Sequence, residues 1–301
     1  MRVGVTGSSG FIGSALVAAL RERGDEVVRF VRPDSPRGAE PVLRWDPSRG
    51  LVDDEDLRRV GGFDAVVNLA GAGLADRRWT SARKEEIRRS RTDATSLLVQ
   101  ILGQSSATSY LASASAVGVY GSRGSEVLDE SSATGDDFLA HVCTEWERAT
   151  LPLEQSGAVV AHLRTGIVLS SRGGALKKQL PLFRFGLGGC FGTGTQWISP
   201  ISLRDEVRAI VWVLERRPSG PFNLVAPAAL TNREFTRALA RQLHRPARVR
   251  IPATALRLAL GGELVDGAIL ASQRALPTAL RESGFGFEDA DIRSILSSAM
   301  A

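Results

Sequence analysis

The sequence predicts an α/β fold in which helices cover both faces of a parallel sheet, that is, a doubly wound sheet. Short apolar runs alternate with amphipathic helical patterns through the first half of the chain, and crossovers between parallel strands are usually helices. The chain also opens on a strand, a glycine-rich turn and a helix in direct succession, an arrangement typical of the start of such sheets. These two observations carry the prediction.

The opening unit is the most informative segment. Residues 1–6 have the pattern of a buried strand, and the apolar residues of 11–20 recur at helical spacing. We expect Gly7 to adopt a positive φ, Gly10 to let the backbone approach a phosphate, and Gly13 to let helix and strand pack closely. Free amides at a helix N-terminus bind anions, so the turn predicts a pyrophosphate site for a dinucleotide. Its residues are Gly7, Ser8, Ser9, Gly10, Phe11, Ile12 and Gly13.

The later elements follow from periodicity and turn residues. Strands are expected at 26–31, 41–45, 65–69, 109–114, 159–163 and 222–225. Helices are expected at 81–102, 137–155 and 203–214. A capping box of Thr231 and Glu234 predicts a further helix start. Glycines crowd the stretch after Leu169, which predicts loops, and Pro277 and Gly284 interrupt a helical tail.

This order of elements predicts two domains. Residues 1–165 plus about 198–226 are expected to form a dinucleotide-binding domain of the Rossmann type. Residues about 166–197 plus 227–301 are expected to form a smaller, discontinuous C-terminal substrate domain. Sheets of this type bind ligands outside the carboxyl ends of their strands, so we expect the second domain to cover that edge.

Composition narrows the classes of function. The chain has 38 basic and 33 acidic residues, and its arginines are scattered beside acidic neighbours, which favours a solvated surface over a nucleic-acid partner. The densest basic stretch, 76–91, is interpreted as an exposed helix face, with an interface or an anionic substrate as the alternative. Cys143 and Cys190 lack the spacing of a metal site or a disulfide framework. With no export signal and no membrane-spanning apolar run, a cytoplasmic protein is expected.

The end of the second strand indicates which dinucleotide is bound. An acid at this position binds a free ribose hydroxyl and repels a phosphate. The chain has Arg32 there, and a guanidinium binds a 2′-phosphate through charge-assisted hydrogen bonds. The sequence therefore favours NADP(H) over NAD(H). Two alternatives stay open: Arg32 as an ordinary surface arginine, and Asp34 as a ligand for the ribose.

A second cofactor segment is expected at the end of the strand at 65–69. Small residues here would let the adenosine half of the cofactor pass closely, and a tight turn at the same place is the competing interpretation. These residues are Asn68, Leu69, Ala70 and Gly71.

The segment Ala112-Ser113-Ala114-Ser115-Ala116-Val117-Gly118-Val119-Tyr120-Gly121 follows the pattern of a strand end. With the opening glycines, it resembles the extended short-chain dehydrogenase/reductase superfamily, also called the NAD-dependent epimerase/dehydratase family. Further motifs are similar to its atypical branch, whose members are usually called epimerase family proteins, and the resemblance covers essentially the whole chain. They are Asp76-x-Arg78-Trp79-Thr80, Trp146-Glu147, Leu163-Arg164-Thr165-Gly166, Gly192-x-Gly194-x-Gln196, Gly220-Pro221-Phe222-Asn223, Gln273-Arg274-Ala275-x-Pro277 and Gly284-Phe285-x-Phe287.

The resemblance implies a catalytic serine and a Tyr-x-x-x-Lys dyad on the next helix. Ser115 takes the place of the serine, with Ser113 as its neighbour, and a hydroxyl there can donate to a developing oxyanion. The dyad is missing, because no tyrosine and lysine of this chain stand at the required spacing. Leu139 and Cys143 lie where the dyad would be. The lysine normally lowers the pKa of the tyrosine through its positive charge, and neither residue can do so.

Possible substitutes for the missing proton donor lie nearby. Tyr120 is the first, and His141 and Glu145 on the following helix are others, although a pocket wall or a surface position is an equally good interpretation. The resemblance also implies that Trp79, Ser113 and Gln196 line the substrate pocket. Asp205 lies in the same region, but Ser202-x-x-Asp205 is close to a capping box and indicates a structural role.

Three functions remain open at this stage. The first is an NADP(H)-dependent oxidoreductase of a small carbonyl or alkene compound, in which Ser115 polarises the acceptor and Tyr120, a helix residue or water supplies the proton. The second is nucleotide-sugar epimerisation or dehydration, and the third is a sensor that holds NADP(H) without turnover. A homodimer through the two long helices is one option that the resemblance implies.

Overall fold

The computed structural model of the chain describes residues 1–35, 40–104 and 110–301. In chain order, its strands are β1 (Arg2–Val5), β2 (Glu26–Val31), β3 (Val42–Asp46), β4 (Leu51–Val52), β5 (Ala65–Asn68), β6 (Tyr110–Ala116), β7 (Val127–Leu128), β8 (Val159–Thr165), β9 (Ile167–Leu169), β10 (Gly189–Phe191), β11 (Trp197–Ile198), β12 (Pro200–Ser202), β13 (Gly220–Leu224), β14 (Leu230–Thr231), β15 (Val249–Ile251) and β16 (Arg274–Ala275).

The helices of the described chain alternate with these strands. They are α1 (Phe11–Glu22), α2 (Asp54–Val60), α3 (Ser81–Gly103), α4 (Phe138–Arg148), α5 (Leu151–Gln155), α6 (Gly174–Arg184), α7 (Leu203–Arg216), α8 (Asn232–Gln242), α9 (Ala253–Leu260), α10 (Gly262–Leu264), α11 (Thr278–Glu282) and α12 (Ile292–Met300). A 3-10 helix at Val117–Tyr120 follows β6, and a π-helical stretch lies at Val265–Ile269.

The central sheet has eight strands in the order β13-β8-β6-β5-β1-β2-β3-β4. Every neighbouring pair is parallel except β3 and β4, which form an antiparallel hairpin at one edge. From β1 the chain runs first towards β2 and β3 and later returns to β5 on the other side, so the strand order reverses beside β1. Such a reversal leaves a crevice at the carboxyl ends of the strands, and ligands bind there. The predicted doubly wound α/β fold is confirmed.

The two faces of the sheet pack against different helices. Along β6 successive side chains point to opposite faces, so Ala112 joins the apolar cluster of α1 and α7, while Leu111 joins that of α3 and α5. Leu16 of α1 and Leu98 of α3 are fully buried in these two clusters. Helices cover both faces of the sheet and bury its central strands, which explains why those strands read as continuous apolar runs.

Two expectations about local structure in the first half are corrected. The helix expected at 137–155 is two helices, because α4 ends at Arg148 and α5 begins at Leu151 with Pro152 in its first turn. Proline has no N–H to donate and is accommodated at a helix start, so it favours this break. The hairpin strand β4 was not expected, since two residues are too few for a periodic signal. Ser109, the expected first residue of β6, lies outside the described residues.

The C-terminal half adds small strand pairs and a third apolar cluster. Strands β9 and β12 pair in parallel, β10 pairs with β15, and β11 pairs with β14. This cluster contains buried residues of α6, α8 and α12, such as Leu176, Phe235 and Ile295. The capping box of Thr231 and Glu234 is confirmed at the start of α8. The expectation of loops after Leu169 was wrong for residues 174–184, which form the helix α6. The division of the chain into two domains stays a prediction.

A buried acid lies between α7 and β8. Glu206 is fully buried, its Oε1 accepts a hydrogen bond from Thr165 Oγ1 at 2.8 Å, and its Oε2 has no partner among the described residues. Burial raises the pKa of this carboxyl from its ordinary value of 4.5 to about 8, and the hydrogen bond from Thr165 opposes the rise only in part. Glu206 is therefore held in its protonated form at neutral pH.

This proton makes stability depend on pH. The native state keeps this proton up to about pH 8, whereas the unfolded chain releases it near pH 4.5. The contribution of Glu206 to the free energy of unfolding is therefore complete below about pH 4.5 and is lost as the pH rises towards about 8. We expect the protein to lose roughly 3 kcal/mol of unfolding free energy through this group between about pH 5.5 and about pH 8, and Glu206→Gln to be spared that loss. Urea denaturation at both pH values measures it. Glu282→Gln, at an exposed carboxyl, should keep the wild-type slope; an unchanged slope in Glu206→Gln would contradict the assignment.

Candidate functional site

The glycine-rich turn after β1 is a place where three backbone segments approach closely. Gly7 has φ of +60°, and a Cβ added there would lie 2.5 Å from the carbonyl oxygen of Leu69, at the end of β5. A Cβ at Gly13 would overlap the carbonyl oxygen of Gly7. Any side chain at either position would force the turn away from α1 or from β5, so the local geometry requires glycine at both.

The N-terminus of α1 is open to a ligand. Its N-cap residue, Gly10, has no side chain to bind the first amides, and its own N–H donates to the carbonyl oxygen of Gly7 at 2.9 Å. The amides of Phe11 and Ile12 have no acceptor within the described chain. Ser9 and Gly10 are exposed. Unpaired amides at the positive end of a helix, beside a turn cleared of side chains, fit the pyrophosphate of a dinucleotide.

Two arginines belong to the region of β2, the strand next to β1: Arg29 lies in β2, and Arg32 follows its last residue. Arg32 is exposed, and its side chain forms no hydrogen bond or ion pair within residues 1–35, 40–104 and 110–301. Arg29, which the sequence analysis missed, donates from Nε to Ser8 Oγ at 3.3 Å and pairs with Glu40 at 3.2 Å. Its position inside a strand pattern gave no functional signal. Arg32 is thus the guanidinium left available for a ligand phosphate, and Asp34 lies exposed next to it.

Asn68 holds the end of β5 in place. Its Oδ1 accepts from Thr6 Oγ1 at 2.8 Å, and its Nδ2 donates to Thr95 Oγ1 at 2.9 Å and to Ser113 Oγ at 3.2 Å. Asn68 and Ser113 are both fully buried, so their side chains bind the protein itself. The backbone of the next residues, Leu69, Ala70 and Gly71, remains the part of this segment that can face a cofactor.

Ser115 also points into the protein. Its hydroxyl donates to Glu147 Oε1 at 2.7 Å, and Glu147 accepts two further hydrogen bonds from Arg164 at 2.9 Å each. Arg164 Nη1 then donates to the hydroxyl of Tyr120 at 3.1 Å. Burial raises the pKa of Glu147, but the bonds and charge of Arg164 outweigh it, so the net pKa lies below the ordinary range. The network is a buried ion pair with a hydroxyl at each end.

Tyr120 is fully enclosed in this network. No part of it is exposed, and its hydroxyl donates to Asn223 Oδ1 at 2.7 Å. Burial raises the pKa of the phenol, which disfavours proton release at neutral pH. The structure therefore gives Ser115 and Tyr120 partners inside the protein rather than in an open pocket; their catalytic roles stay predictions.

Helix α4 carries the residues at the place of the missing dyad. Leu139 and Cys143 pack beside Gly118, just after β6. His141 is exposed on the other side of the helix, and Glu145 pairs with Arg88 at 3.0 Å. Within the described residues, no group of His, Cys, Asp and Glu side chains is suited to hold a metal ion. The helix thus presents apolar side chains to the place where the family has its proton donor.

A small cavity opens between the end of β6 and the C-terminal half. It has a volume of about 140 Å³, and Val117, Ile167 and Leu169 form part of its apolar wall. Amide side chains complete it, namely those of Gln179, Asn232 and Gln273. Sequence reasoning assigned none of the three to a pocket: they are far apart in the chain, and Gln273 was noted only as part of a motif that carries the family resemblance. The cavity has neutral polar groups in an apolar wall, as small-molecule sites commonly do.

A larger cavity of about 690 Å³ adjoins the small one and shares Trp197 with it. Gln196 and Arg250 line it, and the role of Gln196 in a substrate pocket stays a prediction. Trp79 lines neither cavity, since it is buried against Phe138 with ring centres 5.2 Å apart and donates from Nε1 to the carbonyl oxygen of Leu74. The predicted role of Trp79 in the substrate pocket stays a prediction.

No helix in the described part of the chain combines the length and the apolar character that crossing a bilayer requires.

The buried ion pair yields a test of stability. Removing Arg164 leaves the carboxylate of Glu147 buried without a cation, so we expect Arg164→Met to lower the free energy of unfolding by about 3 kcal/mol. Ser115→Ala removes one hydrogen bond and should cost about 1 kcal/mol. Urea denaturation of both variants, and of Arg164→Met combined with Glu147→Leu, measures the coupling. The double variant should recover part of the loss; an Arg164→Met protein as stable as wild type would contradict the network.

Comparisons with known proteins give a consistent result. The model of the NAD dependent epimerase/dehydratase family matches residues 3–148, and a domain of unknown function, DUF1731, matches residues 251–299. The chain is 45% identical to epimerase family protein Mb2239 of Mycobacterium bovis over 298 residues, which is 99% of this chain and 97% of that protein.

Two solved structures extend the comparison. The crystal structure of human epimerase family protein SDR39U1 with NADPH superposes with a TM-score of 0.89 at 30% identity, covering 99% of both chains. A nucleoside-diphosphate sugar epimerase from Corynebacterium glutamicum is 38% identical with a TM-score of 0.78, covering 99% of this chain and 58% of that one. The glycine turn, the sheet order and these full-length similarities agree, and the chain belongs to the NAD-dependent epimerase/dehydratase family, in its group of epimerase family proteins.

Proposed function

We propose that this protein binds NADP(H) and is an oxidoreductase of a small carbonyl or alkene compound. The observation that carries the proposal is the cavity of about 140 Å³, with an apolar wall and three amide side chains, at the carboxyl ends of the strands. A cavity of this size and neutrality suits a small uncharged group. It offers no cation for a diphosphate.

The cofactor part rests on the turn and on Arg32. The crowded glycines and open amides fit a pyrophosphate, and Arg32 is a free guanidinium at the position that faces the 2′-substituent. The human relative named above was crystallised with NADPH. When bound, NADP(H) would supply or accept the hydride; the protein supplies binding, orientation and a small cavity with an apolar wall.

The amide groups are the polar contacts proposed for the substrate. The side chains of Gln179 and Gln273 have no hydrogen-bond partner in the described chain, while Asn232 Oδ1 accepts from Phe191 N–H at 2.9 Å and leaves its NH₂ group free. An NH₂ group can donate to a carbonyl oxygen and stabilise the charge that develops on it. Because Tyr120 is enclosed, we propose that water supplies the proton. The hydroxyl of Ser115 donates to Glu147, and a direct role of Ser115 as a donor to the substrate remains the alternative.

A second candidate is a nucleotide-sugar epimerase or dehydratase. The larger cavity of about 690 Å³ gives room for a nucleotide beside the small one, and the relative from C. glutamicum is called a nucleoside-diphosphate sugar epimerase. Saturable binding of a sugar nucleotide, with the cofactor retained through turnover, would favour this candidate. We rank this candidate second, because its chemistry normally depends on the Tyr-x-x-x-Lys dyad that this chain lacks.

Cofactor choice is testable at Arg32. Removing its charge should weaken NADPH binding about tenfold or more by loss of a charge-assisted contact to the 2′-phosphate, and leave NADH binding unchanged. Calorimetric titration of Arg32→Gln with both nucleotides measures this. Arg49→Gln is the matched control, because Arg49 is exposed on the turn after β3 and its side chain already pairs with Asp46. Equal affinity of Arg32→Gln and wild type for NADPH would overturn the assignment.

Turnover is testable with a panel of small aldehydes, ketones and enones. NADPH consumption is expected for at least one class, and Gln179→Leu should lower its rate about tenfold or more while leaving NADPH affinity unchanged. Lys177→Met, two residues away on the exposed face of α6, should behave as wild type. Tight NADPH binding with complete inertness across the panel would instead favour the third hypothesis, a sensor without turnover.

A further inference from the structure

A cation from a different helix lies beside the place of the missing lysine. In the family pattern the lysine would stand at Cys143 of α4. Arg91, on α3, stacks its guanidinium over the ring of Trp146 at 5.0 Å from the ring centre, one turn further along α4. The same charge acts on Cys143, where it opposes the burial that raises the pKa of the thiol to about 12. Arg91 therefore packs against α4 at Trp146, one helical turn from Cys143.

Arg91 also contacts the segment where a cofactor would pass. Its Nη2 donates to the carbonyl oxygen of Ala72 at 3.1 Å, and its guanidinium carbon lies 3.3 Å from the position that a Cβ of Gly71 would occupy. Gly71 follows β5, the strand next to the glycine turn on the side away from β2. The guanidinium thus lies between the end of β5 and the helix α4 that packs on the end of β6. A dinucleotide with its 2′-phosphate at Arg32 and its pyrophosphate at α1 extends its other half in this direction.

The charge of Arg91 has no counterion among the described residues. Its acceptors are two backbone carbonyls, those of Ala72 and Ile87, and no carboxylate within the described residues pairs with it. Other arginines of α3 differ, since Arg83 pairs with Glu86 at 2.7 Å and Arg88 pairs with Glu85 at 2.7 Å. Burial lowers the pKa of Arg91, so the protein alone does not compensate this cation. A partly buried, unpaired guanidinium with remaining donors suits an oxygen-rich ligand.

We propose that Arg91 supplies, from α3, the positive charge that a lysine of the next helix supplies elsewhere in the superfamily, and that it holds the nicotinamide half of the cofactor. Its free N–H groups would donate to the ribose hydroxyls or to the nearer phosphate of that half. The stacking on Trp146 and the bond to Ala72 fix the guanidinium in this place. Arg91 is thereby a cofactor-positioning residue. The inference rests on the proposed binding of NADP(H).

The test separates the two halves of the cofactor. Calorimetric titrations with NADPH, NADH and adenosine 2′,5′-bisphosphate, which lacks the nicotinamide half, are made on wild type, Arg91→Met and Arg91→Lys. Arg91→Met should weaken both NADPH and NADH about tenfold or more and leave the bisphosphate unchanged, and Arg91→Lys should recover most of the affinity because it keeps the charge. Arg89→Met is the matched control, since Arg89 lies exposed on the same helix with only long ion pairs.

The outcomes are distinguishable. Unchanged NADPH affinity in Arg91→Met, or equal weakening of NADPH and the bisphosphate, overturns the inference, because the second result is what a merely structural role would give. Thermal unfolding without nucleotide shows whether a variant folds, and if Arg91→Met does not fold, Arg91→Lys and Arg91→Gln carry the same comparison. Absence of nucleotide binding in wild type would refute the proposed function itself, whereas weak NADPH binding in Arg32→Gln with wild-type behaviour of Arg91→Met would refute this inference alone.

Discussion

The close approach of three backbone segments at the turn after β1 is the constraint on which the rest of the structure depends. The carbonyl oxygen of Gly7 lies against Gly13, and Gly7 itself lies against Leu69, so α1 and the end of β5 are fixed with respect to β1 by contacts that admit no side chain. This packing directs the open amides of α1 towards the carboxyl edge of the sheet. It also places the turn beside Arg32 on one side and the end of β5 on the other. The proposed cofactor site is a consequence of this packing.

The buried polar network forms a second layer of organisation. Ser115, Glu147, Arg164, Tyr120 and Asn223 link β6, α4, β8 and β13 through hydrogen bonds and one ion pair. Buried ion pairs add little net stability compared with apolar packing, but breaking one is costly, so they hold elements in one arrangement. Here the hydroxyl groups of Ser115, at the position of the family's catalytic serine, and of Tyr120, the first candidate for the missing proton donor, take part in these hydrogen bonds. These bonds explain how the chain keeps the architecture of the family without its dyad.

Charge is used in two different ways on this protein. Several arginines of the described chain form ion pairs at the surface, such as Arg123 with Glu126 and Arg257 with Asp266, and such pairs contribute little to stability. Arg32 and Arg91 have no carboxylate partner in the part of the chain that the structure describes, and they lie at the edge where the proposed cofactor binds. The distinction depends on the partner and the position of each side chain, and the count of arginines alone does not reveal it.

The sequence by itself determined the glycine turn, the alternation of strands and helices, the capping box of α8 and the arginine after β2, because each depends on local backbone chemistry or on the period of apolar residues. It could not show that Ser115 faces Glu147, because the face of a strand that meets a given helix is set by how distant elements pack. Nor could it place Gln179, Asn232 and Gln273 around one cavity, or bring Arg91 beside Cys143 from another helix. Contacts between residues far apart in the chain follow from the packing of the whole molecule, and only the tertiary structure decided them.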